Sequence, residues 1–282
     1  MSKKNYAVIG HPIGHTMSPF IHKRLFELSN IDAEYTVIDV APEKLDADYQ
    51  AILSKLDGFN ITIPHKQAII PLLTSLDNKA GIYGSVNTVV HGEQSKGYTT
   101  DPDGFLAALK SSGIQLAGKV VILGTGGVAR TMAFEAAKAG ADVRIAVRPH
   151  DILAVTKLVG EIKDKVFRPC ISSCYIDRIN GDFDLLINAT PIGMYPNIDN
   201  MAVSQSVLEH CNAVFDAVYN PLETKLVKTA KAMGKKALGG MSMLVWQAVV
   251  SHQIWDGSTY DPKDIEQLVL DSATEMKKIF NK

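Results

Sequence analysis

Residues 119–130 read KVVILGTGGVAR, and no other stretch of the chain restricts its fold so tightly. Four consecutive apolar residues, 120–123, have the pattern of a strand buried on both faces, as in a parallel sheet. The strand empties into a glycine turn in which Gly124, Gly126 and Ala129 fit the spacing G-x-G-x-x-G/A. That spacing suits a dinucleotide. The first glycine turns tightly, the second lets backbone N–H groups approach a pyrophosphate, and the third small residue packs helix against strand. A helix over 128–139 should follow, with its positive N-terminal end aimed at the phosphates. Gly140 stops it, and 143–147 reads as a second strand. Without a ligand the same residues are only a tight strand–helix turn. The motif lies in mid-chain, so the nucleotide unit is not the first to be built.

The 282 residues suffice for two domains of ordinary size. With 46% hydrophobic and 21% charged residues, the composition is that of a globular protein. A formal net charge of −1 gives no electrostatic case for nucleic acid or a membrane surface. No apolar run approaches the roughly 20 residues that span a bilayer, and the N-terminus lacks a signal core. Cys170, Cys174 and Cys211 are an odd number in a large chain, which implies reduced thiols and a cytoplasmic protein. No Cys or His cluster accompanies them, so no metal site is expected.

Strand and helix signals alternate along the chain, the pattern of an α/β protein with parallel sheets. Strands are expected at 6–9, 35–40, 58–63, 184–188, 213–217 and 237–238. A hairpin is expected from 86–91 and 96–98 around Gly92. Helices are expected at 18–28, with Ser18 as N-cap and Pro19 at the first helical position, and at 66–73, 103–111, 224–233, 243–255 and 262–280. This predicts two lobes with a cleft between them: an N-terminal α/β substrate-binding and catalytic domain (1–105 with 240–282) and a Rossmann-like NAD(P)-binding domain (106–239). Ligands of such folds lie outside the carboxyl ends of the strands.

In an NAD site an acid about 20 positions after the fingerprint holds the ribose 2′-OH. Here Arg148 stands 24 positions after Gly124. A guanidinium suits a 2′-phosphate, which favours NADP(H) over NAD(H). Asp151 leaves NAD open, and His150 is the one other cation nearby.

The earlier part of the chain carries polar residues at the ends of its strands. Thr16 and Ser18 lie on a loop that opens a helix, where hydroxyls can bind a carboxylate. Asn60 and Thr62 share a strand face and Lys66 follows. Asn87 sits in an apolar strand and Asp101 at the end of another. If Lys66 and Asp101 meet, they form an acid–base pair able to move a hydroxyl proton while hydride moves at the adjacent carbon.

The stretches GHPIGHTMSPFIH, GFNITIPHK, GSVNTV, TDPDGF, GTGGVAR, INATPIGM, DAVYNPLETKL and GMSMLVWQA together make the chain resemble the shikimate and quinate dehydrogenases over essentially its whole length. The resemblance implies NADPH-dependent reduction of 3-dehydroshikimate to shikimate, a step towards aromatic amino acids. It implies that Lys66 and Asp101 are catalytic and that Thr16 and Ser18 hold the substrate carboxylate. Asn60, Thr62, Asn87 and Gln247 would bind ring hydroxyls, with Tyr219 beside the substrate. Gly124, Gly126, Gly127, Val128, Ala129 and Arg130 would form the phosphate loop, with Arg148 beyond it, and Thr190 and Gly240 would line the nicotinamide. Three places depart from the family pattern. Thr16-Met17-Ser18 replaces Ser-x-Ser. Thr99-Thr100-Asp101-Pro102 replaces Asn-Thr-Asp-Gly and makes Asp103 a competitor for the catalytic place. Val147-Arg148-Pro149 keeps only the arginine of Asn-Arg-Thr.

The expectation is therefore an oxidoreductase, monomeric or homodimeric, acting on a small molecule. The alternatives are a quinate or dual quinate/shikimate dehydrogenase using NAD, a nucleotide-sensing regulatory protein, and a folate-pathway dehydrogenase. The Thr16–Ser18 loop does not suit the substrate of the last.

Overall fold

The computed structural model describes residues 3–14 and 16–280 and divides the chain into two compact units. The first takes in residues up to Gly104 together with those from Val245 onward, and the second is Phe105–Leu244.

The first unit begins with β1 (Lys4–Gly10), α1 (Ser18–Ser29), β2 (Ala33–Asp39), α2 (Leu45–Ala51), β3 (Gly58–Ile61) and α3 (His65–Ala68). It continues with β4 (Ser75–Leu76), α4 (Asn78–Tyr83), β5 (Thr88–His91), β6 (Ser95–Tyr98) and the start of α5 (Asp101–Ser111). Its sheet runs β2-β1-β3-β5-β6-β4. The β1 pairings with β2 and β3 are parallel, but β5 is antiparallel to both β3 and β6. The hairpin expected around Gly92 is present as β5 and β6, and it makes this sheet a mixed one.

Two expectations shift. Strand β3 stops at Ile61, and Ile63 turns outward with 69% of its surface exposed. Ser18 is the first residue of α1 and not its N-cap; Met17 holds the cap position and makes no side-chain cap bond. The Thr16 hydroxyl instead accepts the Ser18 N–H at 3.2 Å, serving one donor that the helix cannot.

One face of this sheet buries Ala7, Ile9, Phe59, Ile61 and Val89 against Val40, Leu45, Tyr49, Leu53 and Ile69. Each large apolar side chain so buried contributes about 1.5–3 kcal/mol. The other face takes α1 and the later part of α10 (Met241–Asp256), and α11 (Pro262–Phe280) packs on α1. Trp255 stacks on Tyr6 at 4.4 Å between ring centroids and donates to the Val89 carbonyl at 2.9 Å. A Cβ at Gly58 would lie 2.5 Å from the Trp255 Nε1, so glycine is required where this helix seats.

The second unit holds β7 (Lys119–Leu123), α6 (Gly127–Lys138), β8 (Asp142–Val147), α7 (Ile152–Lys165), β9 (Cys170–Tyr175) and β10 (Phe183–Asn188). Then come α8 (Gln205–Glu209), β11 (Cys211–Asp216), α9 (Lys225–Ala232) and β12 (Lys236–Leu238). All six strands are parallel, in the order β12-β11-β10-β7-β8-β9. Counted from its first strand the unit thus reads 3-2-1-4-5-6, the doubly wound order whose switch point lies between β7 and β10. Among the described residues no helix is long and apolar enough to cross a membrane.

Candidate active site

Lys66 sits on the short α3, just beyond β3. Its neighbour His65 is buried and bonds through Nε2 to the Val40 carbonyl at 2.6 Å, while the Lys66 carbonyl accepts the Val86 N–H at 2.8 Å. Fixed at both points, Lys66 donates from Nζ to Asp101 Oδ2 at 2.6 Å. The two side chains are 14% and 2% exposed, so the pair is largely removed from water. Asp101 opens α5 rather than ending a strand, which places its carboxylate at the positive end of a helix. The competitor Asp103 is taken by Lys79 at 2.6 Å in a far more open setting.

Asn87 precedes β5 and ties this pair to its surroundings. Its Nδ2 lies 3.0 Å from Asp101 Oδ1, 3.0 Å from the Thr100 hydroxyl and 3.2 Å from Gln247 Oε1. Its Oδ1 accepts the Thr100 N–H at 2.8 Å. Asn60 Nδ2 lies 3.2 Å from the Asn87 carbonyl, 3.1 Å from the Thr88 hydroxyl and 3.0 Å from the Ser251 hydroxyl, and its Oδ1 accepts from Tyr35 at 2.8 Å. Thr62 is half-buried, with its methyl against Gly10, where a Cβ would come within 2.5 Å. The Thr16 hydroxyl donates to Ser18 Oγ at 3.1 Å. The structure thus joins Lys66, Asp101, Asn87 and Gln247 in one bonded set in the first unit. Asn60 joins that set through the Asn87 carbonyl.

Thr100, Tyr35 and Ser251 belong to this set and were not singled out from sequence. Alternation along β2 was a signal for Tyr35. Nothing local marked Ser251, 191 positions from Asn60. Tyr219 is in the second unit, after β11, and is half-buried there.

At the switch point of the second unit, Gly124 has φ +104°, and a Cβ there would stand 3.0 Å from the Thr190 methyl and 3.3 Å from the Ala189 carbonyl. Gly126 caps α6 with no side-chain cap bond, and a Cβ on it would point into open space. The first N–H groups of α6, from Gly127, Val128 and Ala129, therefore have no side chain of their own to satisfy them. A phosphate fits such a cradle. Arg130 does not reach out from the loop as expected: it pairs with Glu161 of α7 and lies over the Phe134 ring at 5.3 Å. Its charge fastens α6 to α7. Arg148, 59% exposed after β8, pairs with Asp151 at 3.3 Å, and His150 approaches the same carboxylate at 3.4 Å.

Thr190 donates to Asn188 Oδ1 at 2.6 Å, and Asn188 donates to Asp216 Oδ1 at 2.9 Å. Asp216 also accepts the Val218 N–H and the Thr224 hydroxyl. Burial raises its carboxyl to about 6 against these bonds. Gly240 lies on this cluster: its N–H donates to the Val218 carbonyl, and a Cβ would collide with the Ala217 carbonyl oxygen.

A doubly wound parallel sheet with a glycine cradle at its switch point, together with a mixed-sheet unit holding a buried lysine–aspartate pair, defines a two-unit dinucleotide-dependent dehydrogenase. Residues 8–89 match the family model described as the shikimate dehydrogenase substrate binding domain. The shikimate dehydrogenase (NADP(+)) of Caldanaerobacter subterraneus subsp. tengcongensis is 36% identical over 263 residues, covering 92% of this chain and 93% of that one. A crystal structure of a shikimate dehydrogenase in complex with NADP+ superposes with a TM-score of 0.86 at 36% identity, over 96% of each chain. The Thermus thermophilus enzyme in complex with NADP(H) and shikimate gives 0.85 at 30% identity, over 95% of this chain and 99% of that one. The chain belongs to the shikimate dehydrogenase family.

Proposed function

We propose that this protein reversibly reduces 3-dehydroshikimate to shikimate with NADP(H), a step of the shikimate pathway. The observation that carries the reading is the buried 2.6 Å pair of Lys66 and Asp101, set among Asn87, Gln247 and Asn60 in the unit that matches the family's substrate-binding domain.

The relatives' NADP(+) dependence and the cradle at Gly124 and Gly126 support NADP(H) as cofactor. When bound, it supplies the hydride. The N–H groups at the start of α6 hold its pyrophosphate, Arg148 meets the 2′-phosphate, and Thr190 and Gly240 line the nicotinamide. In the reductive direction Lys66 gives a proton to the oxygen at substrate C3, and in the oxidative direction it takes that proton back. Asp101 aims the ammonium group and balances its charge, while Asn87 holds the carboxylate in place. Thr16 and Ser18 receive the substrate carboxylate, and Asn60, Thr62 and Gln247 the ring hydroxyls. Proximity of the reacting groups supplies much of the rate.

Quinate with NAD is the second reading. It is favoured by Asp151, which stands where an acid could take a ribose hydroxyl and already occupies Arg148. Initial rates with shikimate and quinate, each against NADP and NAD, decide between them. The highest kcat/KM is expected for shikimate with NADP. Turnover of neither substrate overturns both readings. Cytoplasmic residence and a monomeric or dimeric state fit the same reading, and fractionation and sedimentation test them.

A further inference from the structure

Strands β10 and β11 end side by side on Asn188 and Asp216, which are partners in the register of the sheet. On its other side Asn188 is in register with Leu123, the last residue of β7 before the glycine turn. Asn188 and Asp216 are both 0% exposed, so neither can touch a ligand. Asp216 is a buried acid that the reaction itself does not use.

The direction of each bond follows from counting donors. Asn188 Nδ2 lies 3.3 Å from the Ile192 carbonyl, which can only accept, so the amide nitrogen faces that way. The same nitrogen donates to Asp216 Oδ1 at 2.9 Å. Asn188 Oδ1 then accepts the N–H and the hydroxyl of Thr190, at 3.1 and 2.6 Å. That bond uses the one hydroxyl hydrogen of Thr190 and fixes its rotamer. The Thr190 methyl is thereby set against Gly124, where a Cβ would come within 3.0 Å of it. Asp216 Oδ1 also accepts the Val218 N–H at 3.0 Å, and the Val218 carbonyl accepts the Gly240 N–H at 3.0 Å. Its Oδ2 accepts from Thr224 at 2.6 Å, while Thr224 Oγ1 accepts the Val227 N–H at the start of α9. One carboxylate oxygen therefore holds two lines, one through Asn188 to Thr190 and one through Val218 to Gly240.

We propose that Asp216 is a positioning residue for the nicotinamide end of the cofactor, holding Thr190 and Gly240 at a fixed separation through Asn188 and Val218. This rests on the NADP(H) reading above, in which Thr190 and Gly240 line the nicotinamide. What the device needs is an acceptor at Oδ1. Asn188 turned over would bring its own oxygen against Asp216 and the Ile192 carbonyl, so the acceptor sets the amide. Without it the Thr190 hydroxyl loses its fixed partner, and the 216–218 turn loses its closing bond.

Asp216→Asn keeps that acceptor, and its new amide can donate to a free lone pair of Thr224 Oγ1. Asp216→Leu has similar bulk and no acceptor. Calorimetric titration with NADPH and with adenosine 2′,5′-bisphosphate, which has the 2′-phosphate but no nicotinamide, reads the two ends of the site separately. Asp216→Leu should weaken NADPH at least ~5-fold, on the scale of a lost hydrogen bond, and leave the bisphosphate within about twofold. Asp216→Asn should leave both ligands within about twofold, a rescue expected of an acceptor and not of a charge. If Asp216→Leu does not fold, Asn188→Ala breaks the same line one link on and should give the same split. An equal loss for both ligands, an unchanged NADPH affinity, or an Asp216→Asn as weak as Asp216→Leu overturns the proposal. If wild-type protein binds NADH in place of NADPH, NADH and AMP make the same comparison. Wild-type protein that binds neither dinucleotide overturns the cofactor reading and the proposal with it, whereas wild-type binding with no split among the variants overturns the proposal alone.

Discussion

Asn87 donates its side-chain amide to Asp101 Oδ1, the carboxylate oxygen that Lys66 leaves open. The carboxylate is thus held from two sides, and Lys66 has one direction in which to point. Breaking a buried pair by removing one partner is costly because the other charge stays behind. Lys66→Ala should lower kcat at least ~100-fold, the scale of a lost general acid/base, with KM changed little. Asp101→Asn should lower kcat about 10- to 100-fold, and Asp103→Asn should leave it within about twofold because Lys79–Asp103 is a surface pair. Steady-state rates at saturating NADP check all three, and a Lys66 variant with intact kcat removes the proton-transfer role.

Asp216 gives the second unit a pH signature. Its carboxyl is raised from 3.8 to about 6. The folded state therefore holds this proton more tightly than the unfolded state does. The associated stability is fully present below pH 3.8 and is lost as pH rises through about 6. Asp216→Asn removes this dependence. Relative to wild type, the variant should gain up to about 3 kcal/mol between about pH 4 and about pH 7. Denaturant titrations of both proteins at the two pH values measure the difference, and a flat difference contradicts the buried charge.

Gly240 has no room for a side chain, since a Cβ would run into the Ala217 carbonyl oxygen. Gly240→Ala should destabilise the protein by about 1–3 kcal/mol. By shifting the Val218 and Thr190 cluster it should also raise the KM for NADP more than that for shikimate. Thermal unfolding with and without NADP separates the two effects.

Arg148 is open to solvent, and Asp151 is its partner. Arg148→Ala should weaken NADP about 10-fold, the loss of one charge-assisted contact, and leave NAD within about twofold. Asp151→Ala should strengthen NADP by freeing the guanidinium. Cofactor titrations at two ionic strengths test both, with the larger effect at low salt.

The cofactor unit was legible from sequence where side chains are uniform. Residues 120–123 are apolar throughout because β7 is central, and the glycines after it admit few alternatives. Its outer part was not: the sequence pattern assigns no element between 148 and 183, yet α7 and β9 lie there. Strand β9 is an edge strand that buries only Ile171 among CISSCY, so neither alternation nor an apolar run marks it. In the first unit the Lys66–Asp101 pairing was expected, but the means of fixing it was not. Gln247 and Asn87 are 160 positions apart, and their contact exists only once α10 has docked. Arg130 was expected on phosphate because its place in the motif suggests it, and its partner Glu161 lies on the helix that sequence did not reveal.

The return of Val245 onward to the first unit gives the protein an order of assembly. As the ribosome releases the chain, the segments carrying Lys66 and Asn87 emerge first. The helix that brings Trp255 to Val89, Ser251 to Asn60 and Gln247 to Asn87 is made after the whole nucleotide unit. The first unit is begun first and finished last, so a chain cut short anywhere before α10 lacks the segment that closes the hydrogen-bonded set around Asn60 and Asn87.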